Sequence, residues 1–335
     1  MSRIASSQPA KDRSGRLRFR QSPRLWLRAF WRFSRPHTII GTSLSVLGLF
    51  GIVWAGAAVL PFNGSTLLTL LVTWLACLAG NVYIVGLNQI EDVEIDRINK
   101  PHLPLAAGEF SLQDGRWIVG TMGFLALLLA VLGGPWLLLL VGASLLIGTA
   151  YSLPPARLKR FPFWASFCIL AVRGAIVNLG LFLHFSDRLG QTLLIPPQIW
   201  ALTGFVLVFS IAIAIFKDIP DIEGDRRYNI QTFTVQLGQR PVFNLARGVL
   251  TLCYGSMILA APWLSGVNRP FLALSHLIVL FTFWLLSFRV TGFETANSTR
   301  RSKPSQSMSY PAFYQFIWKM FFLEYLLFPL ATWLT

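Results

Sequence analysis

Long runs of apolar residues, separated by short stretches rich in proline, glycine and charge, occupy most of the chain. A transmembrane helix needs about 20 consecutive and mostly apolar residues. Nine runs meet this length, which predicts an all-α polytopic membrane protein, a helical bundle with about nine transmembrane helices. The spans are expected near 38–60, 65–89, 115–133, 135–153, 161–185, 197–216, 240–262, 270–290 and 311–334.

The amino-acid composition agrees with a membrane location. Hydrophobic residues make up 54% of the 335 residues and charged residues 13%, with a mean hydropathy of +0.57. A water-soluble surface carries more charge than this, so an ordinary soluble protein is excluded. The three cysteines lie inside apolar runs and are expected to pack as small hydrophobic side chains, not as disulfides. The expected partner is the lipid bilayer and not nucleic acid, and the sequence gives no oligomeric state.

Positive charge is concentrated before the first span. Ten of the 29 Lys and Arg residues lie between Arg3 and Arg35, and the net charge of the chain is +15. With this segment in the cytoplasm, 24 of the 29 basic residues fall on the cytoplasmic side, as the positive-inside rule requires. A transit peptide would have a similar composition and stays an alternative, but a basic cytoplasmic arm near anionic lipid is favoured.

The spans suggest one domain with a weak internal repeat. We predict a basic N-terminal arm over 1–36 and a single transmembrane domain over 37–335. Because similar acidic segments end the second and the sixth span, two halves of four helices are expected, near 37–160 and 161–303, followed by the last span at 311–334.

Those two acidic segments contain eight of the fourteen Asp and Glu residues. They read NQIEDVEID over 88–96 and KDIPDIEGD over 217–225, and both open onto the predicted cytoplasmic face. A continuous helix would place the Asn and Asp residues of each segment on one face, because they are three or four residues apart. Two facing carboxylate rows need a cation, and Mg²⁺ would leave coordination positions for water and phosphate oxygens. The sets are Asn88, Asp92 and Asp96, and Asp218, Asp221 and Asp225.

Three other interpretations of the acidic segments remain open at this point. They could be solvated helix ends at a membrane interface, a structural calcium site, or the acids of an ion-coupled transporter. Like charges at helical spacing repel, so bare rows are unfavourable without a counter-charge. Transporters usually hold their acids near the middle of the bilayer, whereas these lie at span ends.

The paired motifs N-Q-x-x-D-x-x-x-D and D-x-x-D-x-x-x-D resemble those of the UbiA superfamily of intramembrane aromatic prenyltransferases. Four segments are similar to its homogentisate prenyltransferase branch: RFSRPHTIIGTSLSV at 32–46, NQIEDVEIDRINKPHLPLAAGEFS at 88–111, YSLPPARLKR at 151–160 and KDIPDIEGDRR at 217–227. Gln89 departs from the commoner pattern, which has Asp there. Glutamine is typical of the homogentisate enzymes, and it leaves Asp92 and Asp96 as the carboxylates of the first motif.

The resemblance implies Mg²⁺-dependent transfer of a long prenyl chain, phytyl or similar, from its diphosphate to the ring of homogentisate, with loss of carbon dioxide. Two Mg²⁺ ions are expected to bridge the diphosphate to the motif carboxylates. A chlorophyll-synthase-like enzyme, or one using a solanesyl or geranylgeranyl donor, is the alternative. The host membrane would be the plasma or thylakoid membrane of a photosynthetic bacterium, or a plastid membrane. The implied catalytic and metal-binding residues are Asp92, Asp96, Asp218, Asp221 and Asp225.

Basic and polar residues near the motifs are the expected substrate ligands. Arg157 and Lys159, in the loop after the fourth span, are expected to bind the diphosphate, as are Lys217 and Arg97 beside the acidic residues. Asn88 can orient a metal-bound or donor oxygen through its amide. For a tyrosine at the start of the same loop, Tyr151, a hydrogen bond to the diphosphate and a place in the interfacial aromatic belt are equally open.

Arg173 lies near the middle of the fifth span. An unpaired charge there costs at least about 2.5 kcal/mol on insertion scales, so this guanidinium is expected to face a cavity or a partner group. It could bind the carboxylate of the aromatic acid in a bidentate way. Arg35 and His37, at the start of the first span, are competing candidates for the same contact.

Overall fold

A computed structural model describes residues 19, 22–56, 62–227, 232–291 and 308–335 of the chain. Throughout these ranges the long elements are helices. Only one pair of strands occurs in the described residues, β1 (Val290–Thr291) parallel to β2 (Met308–Ser309). The helices are α1 (Pro23–Phe33), α2 (Pro36–Gly56), α3 (Gly64–Glu91), α4 (Val93–Asn99), α5 (Leu112–Gly133), α6 (Pro135–Ser152), α7 (Pro162–Leu170), a π-helical segment (Ala171–Ile176), α8 (Val177–Arg188), α9 (Pro197–Asp218), α10 (Ile222–Arg227), α11 (Phe233–Leu237), α12 (Gln239–Ala260), α13 (Arg269–Ser287) and α14 (Tyr310–Trp333).

The prediction of nine transmembrane helices is confirmed. In the described part of the chain, nine helical stretches are long and apolar enough to cross a membrane. The fifth stretch is built from α7, the π-helical segment and α8, and the seventh continues from α12 into a short 3₁₀ turn. The others are α2, α3, α5, α6, α9, α13 and α14. The division into a basic arm and two repeated halves stays a prediction.

Proline and polar caps set where several of these helices begin. Proline occupies the first turn of α6 and of α9, where its missing N–H has no helical partner to lose. At the start of α5, Ser111 and Asp114 form a capping box in which each side chain accepts a hydrogen bond from the other residue's backbone N–H.

Both acidic motifs break their helix, and the expectation of one continuous helical face is therefore wrong. Helix α3 ends at Glu91, and Asp92 takes φ −114° and ψ 18° before α4 begins. Aspartate disfavours a helix interior and suits such a cap position. In the second motif α9 ends at Asp218, and Pro220, which has no N–H to donate, lies in the turn before α10. The breaks turn α4 and α10 into contact with each other.

The last helix packs on helices from both the N-terminal and the C-terminal parts of the chain. Helix α14 packs against α2 on one side and against α9 and α13 on the other. Its buried carboxylate at Glu324 lies 3.1 Å from Nε2 of His276 in α13, inside the bundle. Buried rings fill the space around these contacts, among them Phe209, Phe216 and Phe313. Another part of α14 carries Trp318 and Phe321, whose rings contact Arg173 of the π-helical segment.

Helix α1 is amphipathic and packs on a separate small core. Ala29 and Phe33 are fully buried there, against Phe110 in the segment that follows the first acidic motif. The sequence predicted a basic arm over 1–36. Its described C-terminal part is instead a helix that packs on the domain, and the boundary at 36 coincides with the start of α2.

Close helix packing makes one glycine sensitive to substitution. A Cβ atom at Gly148 in α6 would lie 2.7 Å from Cγ1 of Ile84 in α3, whereas one at Gly142 in the same helix has no heavy atom within 4 Å. Small residues allow helices to approach this closely in membranes. Gly148→Val should therefore lower thermal stability in detergent by about 1–3 kcal/mol. Gly142→Val carries the same change in helix propensity, and an equal loss in both variants would contradict this packing.

Candidate active site

A lysine joins the two acidic motifs. Lys100, in the last turn after α4, places its Nζ 3.1 Å from Oδ2 of Asp221 and 3.9 Å from Oδ1 of Asp96. One ammonium group therefore contacts carboxylates that are far apart in the sequence. The structure thus brings the motifs together, as their position on the same side of the predicted bundle required. Lys100 was not among the expected ligands, although its spacing of four residues from Asp96 is a helical contact spacing that could have indicated it.

Asp92 is the most heavily contacted carboxylate of the site. Its Oδ1 lies 2.7 Å from Nζ of Lys159 and 3.6 Å from Nη2 of Arg157. The amide of Asn88 donates to its Oδ2 at 3.0 Å. Burial lowers the pKa of Lys159, while the negative charge of Asp92 opposes this shift. The structure therefore places the expected ligands Asn88, Arg157 and Lys159 around a single motif carboxylate.

Asp96 is buried, with 5% of its surface exposed. The nearest charges are Nη2 of Arg35 at 3.8 Å from Oδ2 and the ammonium of Lys100. Burial raises the pKa of Asp96, and the charges of Arg35 and Lys100 oppose this shift. Arg35 also donates to Oδ1 of Asn88 at 3.4 Å, so it contacts two residues of the first motif, whereas the sequence indicated it as a candidate for binding the aromatic acid. Oδ2 of Asp96 is buried and has no hydrogen-bond partner.

The second motif contributes a further ion pair. Nζ of Lys217 lies 3.5 Å from Oδ1 of Asp218. Tyr151, at the end of α6, is close enough to Lys217, Asp218, Asp92 and Arg35 to interact with their charges. The backbone of the remaining predicted ligand is part of α10, but the side chain of Asp225 lies outside what the structure describes.

Two of the site cations have a left-handed backbone. Arg35 has φ 52° and Arg157 has φ 34°, and no other non-glycine residue in the described ranges has positive φ. Such a conformation is uncommon for a long side chain and is found at sites where the surroundings fix it. Both residues reach carboxylates or amides of the first motif. No sequence signal marks either residue for this geometry, because neither is glycine or asparagine.

Arg97 is the expected ligand that the structure does not bring into the cluster. Its Nη1 lies 2.8 Å from Oε1 of Glu94, and the two side chains are 56% and 71% exposed. The spacing of three residues places them together on the outer face of α4. Arg97 therefore lies beside one acid of the first motif, Glu94, but in the described ranges it has no ion pair with Asp92 or Asp96.

A second cluster contains Arg173 and His37. Arg173 lies in the π-helical segment, and its guanidinium carbon is 5.2 Å from the ring centre of Trp318 and 5.8 Å from that of Phe321. The ring of His37 lies 4.7 Å from the same Trp318 ring. Within the described ranges the Arg173 guanidinium has no carboxylate or hydrogen-bond partner, so this charge inside a span is available to an anion. Single π-helical turns often occur at functional sites.

The residues present fit a divalent metal that arrives with a phosphate. No three Asp, Glu, His or Cys side chains in the described ranges are grouped closely enough to hold an ion on their own. Mg²⁺ commonly takes one or two carboxylates and completes its shell with water and substrate phosphate. The buried Oδ2 of Asp96, which accepts no hydrogen bond within the described ranges, and the oxygens of Asp221, which shares Lys100 with Asp96, are metal-donor atoms of this kind.

The sequence matches one family and several curated relatives. A model of the UbiA prenyltransferase family matches residues 44–323. Homogentisate phytyltransferase of Synechocystis sp. is 52% identical over 309 residues, which cover 92% of this chain and 96% of that protein. Homogentisate phytyltransferase 1 of Arabidopsis thaliana is 41% identical, over 90% of this chain and 75% of that protein. Homogentisate solanesyltransferase of the same plant is 37% identical, over 97% of this chain and 79% of that protein.

A solved structure shares the fold. A UbiA homolog from Archaeoglobus fulgidus, solved bound to GPP and Mg²⁺, superimposes with a TM-score of 0.59 at 16% identity and covers 92% of this chain and 100% of that one. At this identity the likeness concerns the arrangement of helices.

Proposed function

Because the chain belongs to the UbiA prenyltransferase family, we propose that it transfers a phytyl group from phytyl diphosphate to the aromatic ring of homogentisate. The relatives named phytyltransferases support this donor and acceptor. The relative named solanesyltransferase shows that the donor can differ between members of similar sequence, so donor length is the part to be tested most closely. Membership of a prenyltransferase family supports an enzyme over an ion-coupled transporter.

The observation that carries the proposal is the contact between the two acidic motifs. Lys100 reaches a carboxylate from each, and other cations surround them. Ammonium and guanidinium groups bind the oxygens of a diphosphate, and the motif carboxylates suit the divalent ions that accompany it. We propose two Mg²⁺ ions, held among Asp92, Asp96, Asp218, Asp221 and Asp225.

Loss of the diphosphate is the difficult step of the proposed reaction. The bond between the first prenyl carbon and the diphosphate oxygen breaks, and the diphosphate leaves with both electrons. Arg157, Lys159 and Lys217 bind the leaving oxygens as negative charge builds on them, and Tyr151 donates a hydrogen bond. When bound, Mg²⁺ supplies further neutralisation of that charge. Asn88 orients Asp92 through its hydrogen bond.

The aromatic acid is proposed to bind beside α14. Arg173 binds its carboxylate, and His37, on the same tryptophan ring, orients a hydroxyl or carboxylate oxygen. The rings of Trp318 and Phe321 present their faces to a cation, so they also stabilise the positive charge on the prenyl group. A ring carbon of homogentisate supplies the electron pair for the new bond. The ring hydrogen leaves as a proton, and another proton replaces the carboxylate that departs as carbon dioxide.

The protein is an integral membrane protein, and its setting suits lipophilic substrates and products. The bundle holds the prenyl chain away from water, which would otherwise quench the allylic cation. We propose that the site opens to the cytoplasmic side. Most Lys and Arg residues fall on the same side of the predicted spans as the acidic motifs, and loops rich in these residues favour the cytoplasm. The proposed host membrane is that of a photosynthetic bacterium or a plastid.

An assay of purified protein in detergent tests the function. Homogentisate, or chlorophyllide as the alternative acceptor, is supplied with phytyl, geranylgeranyl or solanesyl diphosphate in parallel, and products are identified by mass spectrometry. The expected result is a prenylated quinol of decarboxylated mass, formed fastest with the phytyl donor and abolished when Mg²⁺ is chelated. A faster reaction with another donor would show that phytyl diphosphate is not the preferred donor. Use of chlorophyllide in place of homogentisate, or no product at all, would contradict the proposal.

A further inference from the structure

Helix α1 presents an outward face of mixed character. Arg24, Leu27, Arg28 and Trp31 follow helical spacing and are all exposed, with Leu27 54% and Trp31 48% accessible. No acid lies in α1, and neither Arg24 nor Arg28 has an ion pair in the described part of the chain. This face therefore exposes two arginines, with no acidic partner among the described residues, next to two large apolar side chains, which water solvates poorly.

The opposite face fixes α1 to the domain. The ring of Trp26 lies 5.5 Å from that of Phe110, and Ala29 and Phe33 are buried. Arg32 pairs with Glu109 and donates to the carbonyl oxygen of His102 at 3.1 Å. The outward face is therefore held in one orientation.

The first span sets the depth of α1. Helix α2 begins three residues after α1 ends, so α1 lies at the membrane boundary on the side of the acidic motifs. Tryptophan and leucine insert at such a boundary, while arginine binds headgroup phosphates.

We propose that this face of α1 binds anionic lipid headgroups of the leaflet nearest the acidic motifs. Two other occupants are disfavoured by charge. Residues 1–21 carry six basic residues and one acid, so they repel the arginines. A second copy docked through the same face would also bring arginine against arginine.

Lipid binding would also support the active site. Arg32 connects α1 to the 100–111 segment, which follows the first motif and contains Lys100, and α1 leads directly into Arg35. Anionic lipid that holds α1 in place is thus expected to raise the reaction rate. This consequence rests on the proposed prenyl transfer, whereas lipid binding itself does not.

The test uses full-length protein, one copy per nanodisc, with no substrate present. The discs contain phosphatidylcholine with a trace of diazirine-labelled phosphatidylglycerol or diazirine-labelled phosphatidylcholine, and cross-linked peptides are mapped by mass spectrometry. Each arginine near the surface favours an anionic lipid by about fivefold. The wild-type α1 peptide should cross-link to phosphatidylglycerol at least about fivefold more than to phosphatidylcholine. In the double variant Arg24→Gln with Arg28→Gln this ratio should approach one.

A second double variant controls for net charge. Arg116 and Arg289 are exposed arginines outside α1, and replacing both with Gln removes the same charge. This variant should keep the wild-type ratio at α1, and cross-links to the spans should be unchanged in all proteins if they are folded. A wild-type ratio near one, an unchanged ratio in the α1 variant, or an equal loss in both variants would overturn lipid binding.

The rate measurement is kept separate. Wild-type protein should react faster in discs with phosphatidylglycerol than in pure phosphatidylcholine, and the α1 variant should not. If α1 selects anionic lipid but the rates do not differ, lipid binding stands and only its proposed effect on the reaction rate is rejected. Absence of any reaction in all discs would count against the proposed function and leave the cross-linking result standing.

Discussion

Replacing Asp92 or Asp221 with asparagine is expected to lower the rate of prenyl transfer by at least about 100-fold, because each change removes a carboxylate that we propose as a metal ligand. The two residues belong to different motifs, yet both have contacts to cations of one cluster. Loss of either should therefore have a similar effect. The rate is measured with saturating Mg²⁺ and both substrates, after thermal stability in detergent has shown that each variant is folded.

Glu94→Gln provides the matched control for these variants. Glu94 lies between the motif acids in sequence, but its side chain is 71% exposed and pairs with Arg97 on the outer face of α4. The same loss of one carboxylate charge should leave the rate within about twofold of wild type, as expected for a surface position. Near wild-type rates in Asp92→Asn and Asp221→Asn, or an equal fall in Glu94→Gln, would refute the assignment of the motifs.

The second large effect is expected for Arg173→Met. The change keeps most of the apolar stem but removes the guanidinium that we propose binds the carboxylate of homogentisate. Charged hydrogen bonds contribute about 1.5–3 kcal/mol, so KM for homogentisate should rise roughly 10- to 100-fold. KM for the prenyl diphosphate should change little. Initial rates are measured with each substrate varied in turn.

Arg247→Met is the control for the loss of a stacked arginine. The Arg247 guanidinium carbon lies 4.2 Å from the ring centre of Trp284, and its contacts are with α12 and α13. Both arginines thus stack on tryptophan, but only Arg173 is placed beside His37. Arg247→Met should leave both KM values unchanged. Equal rises for homogentisate and the donor in Arg173→Met would exclude Arg173 from the acceptor site.

The spans and the pairing of the motifs could be predicted because hydropathy and charge act over whole segments. A run of about 20 apolar residues has few alternatives to a helix in a bilayer. Likewise, acids that end even-numbered spans must lie on the same side. The charge inside a span also marked Arg173 without any knowledge of the fold.

The local geometry of the site could not be predicted from periodicity. Pro220 was a recognisable sequence signal for the break in the second motif. Aspartate only disfavours a helix interior, so the break at Asp92 has no equally strong signal. The left-handed backbone of Arg35 and Arg157 has no sequence signature. Trp318 lies in a mostly apolar helix, α14, in which the sequence pattern does not show which side faces the other helices. Its contact with Arg173 could therefore be seen only in the structure.

The most direct test of the shared site is an anomalous difference map from crystals grown with Mn²⁺ and a non-hydrolysable prenyl thiolodiphosphate. We expect manganese peaks between the diphosphate and the carboxylates of both motifs, with Asp92 or Asp96 on one side and Asp218 or Asp221 on the other. Peaks bound to one motif alone, or a diphosphate located away from Lys100 and Lys159, would contradict a single site built from the two acidic segments.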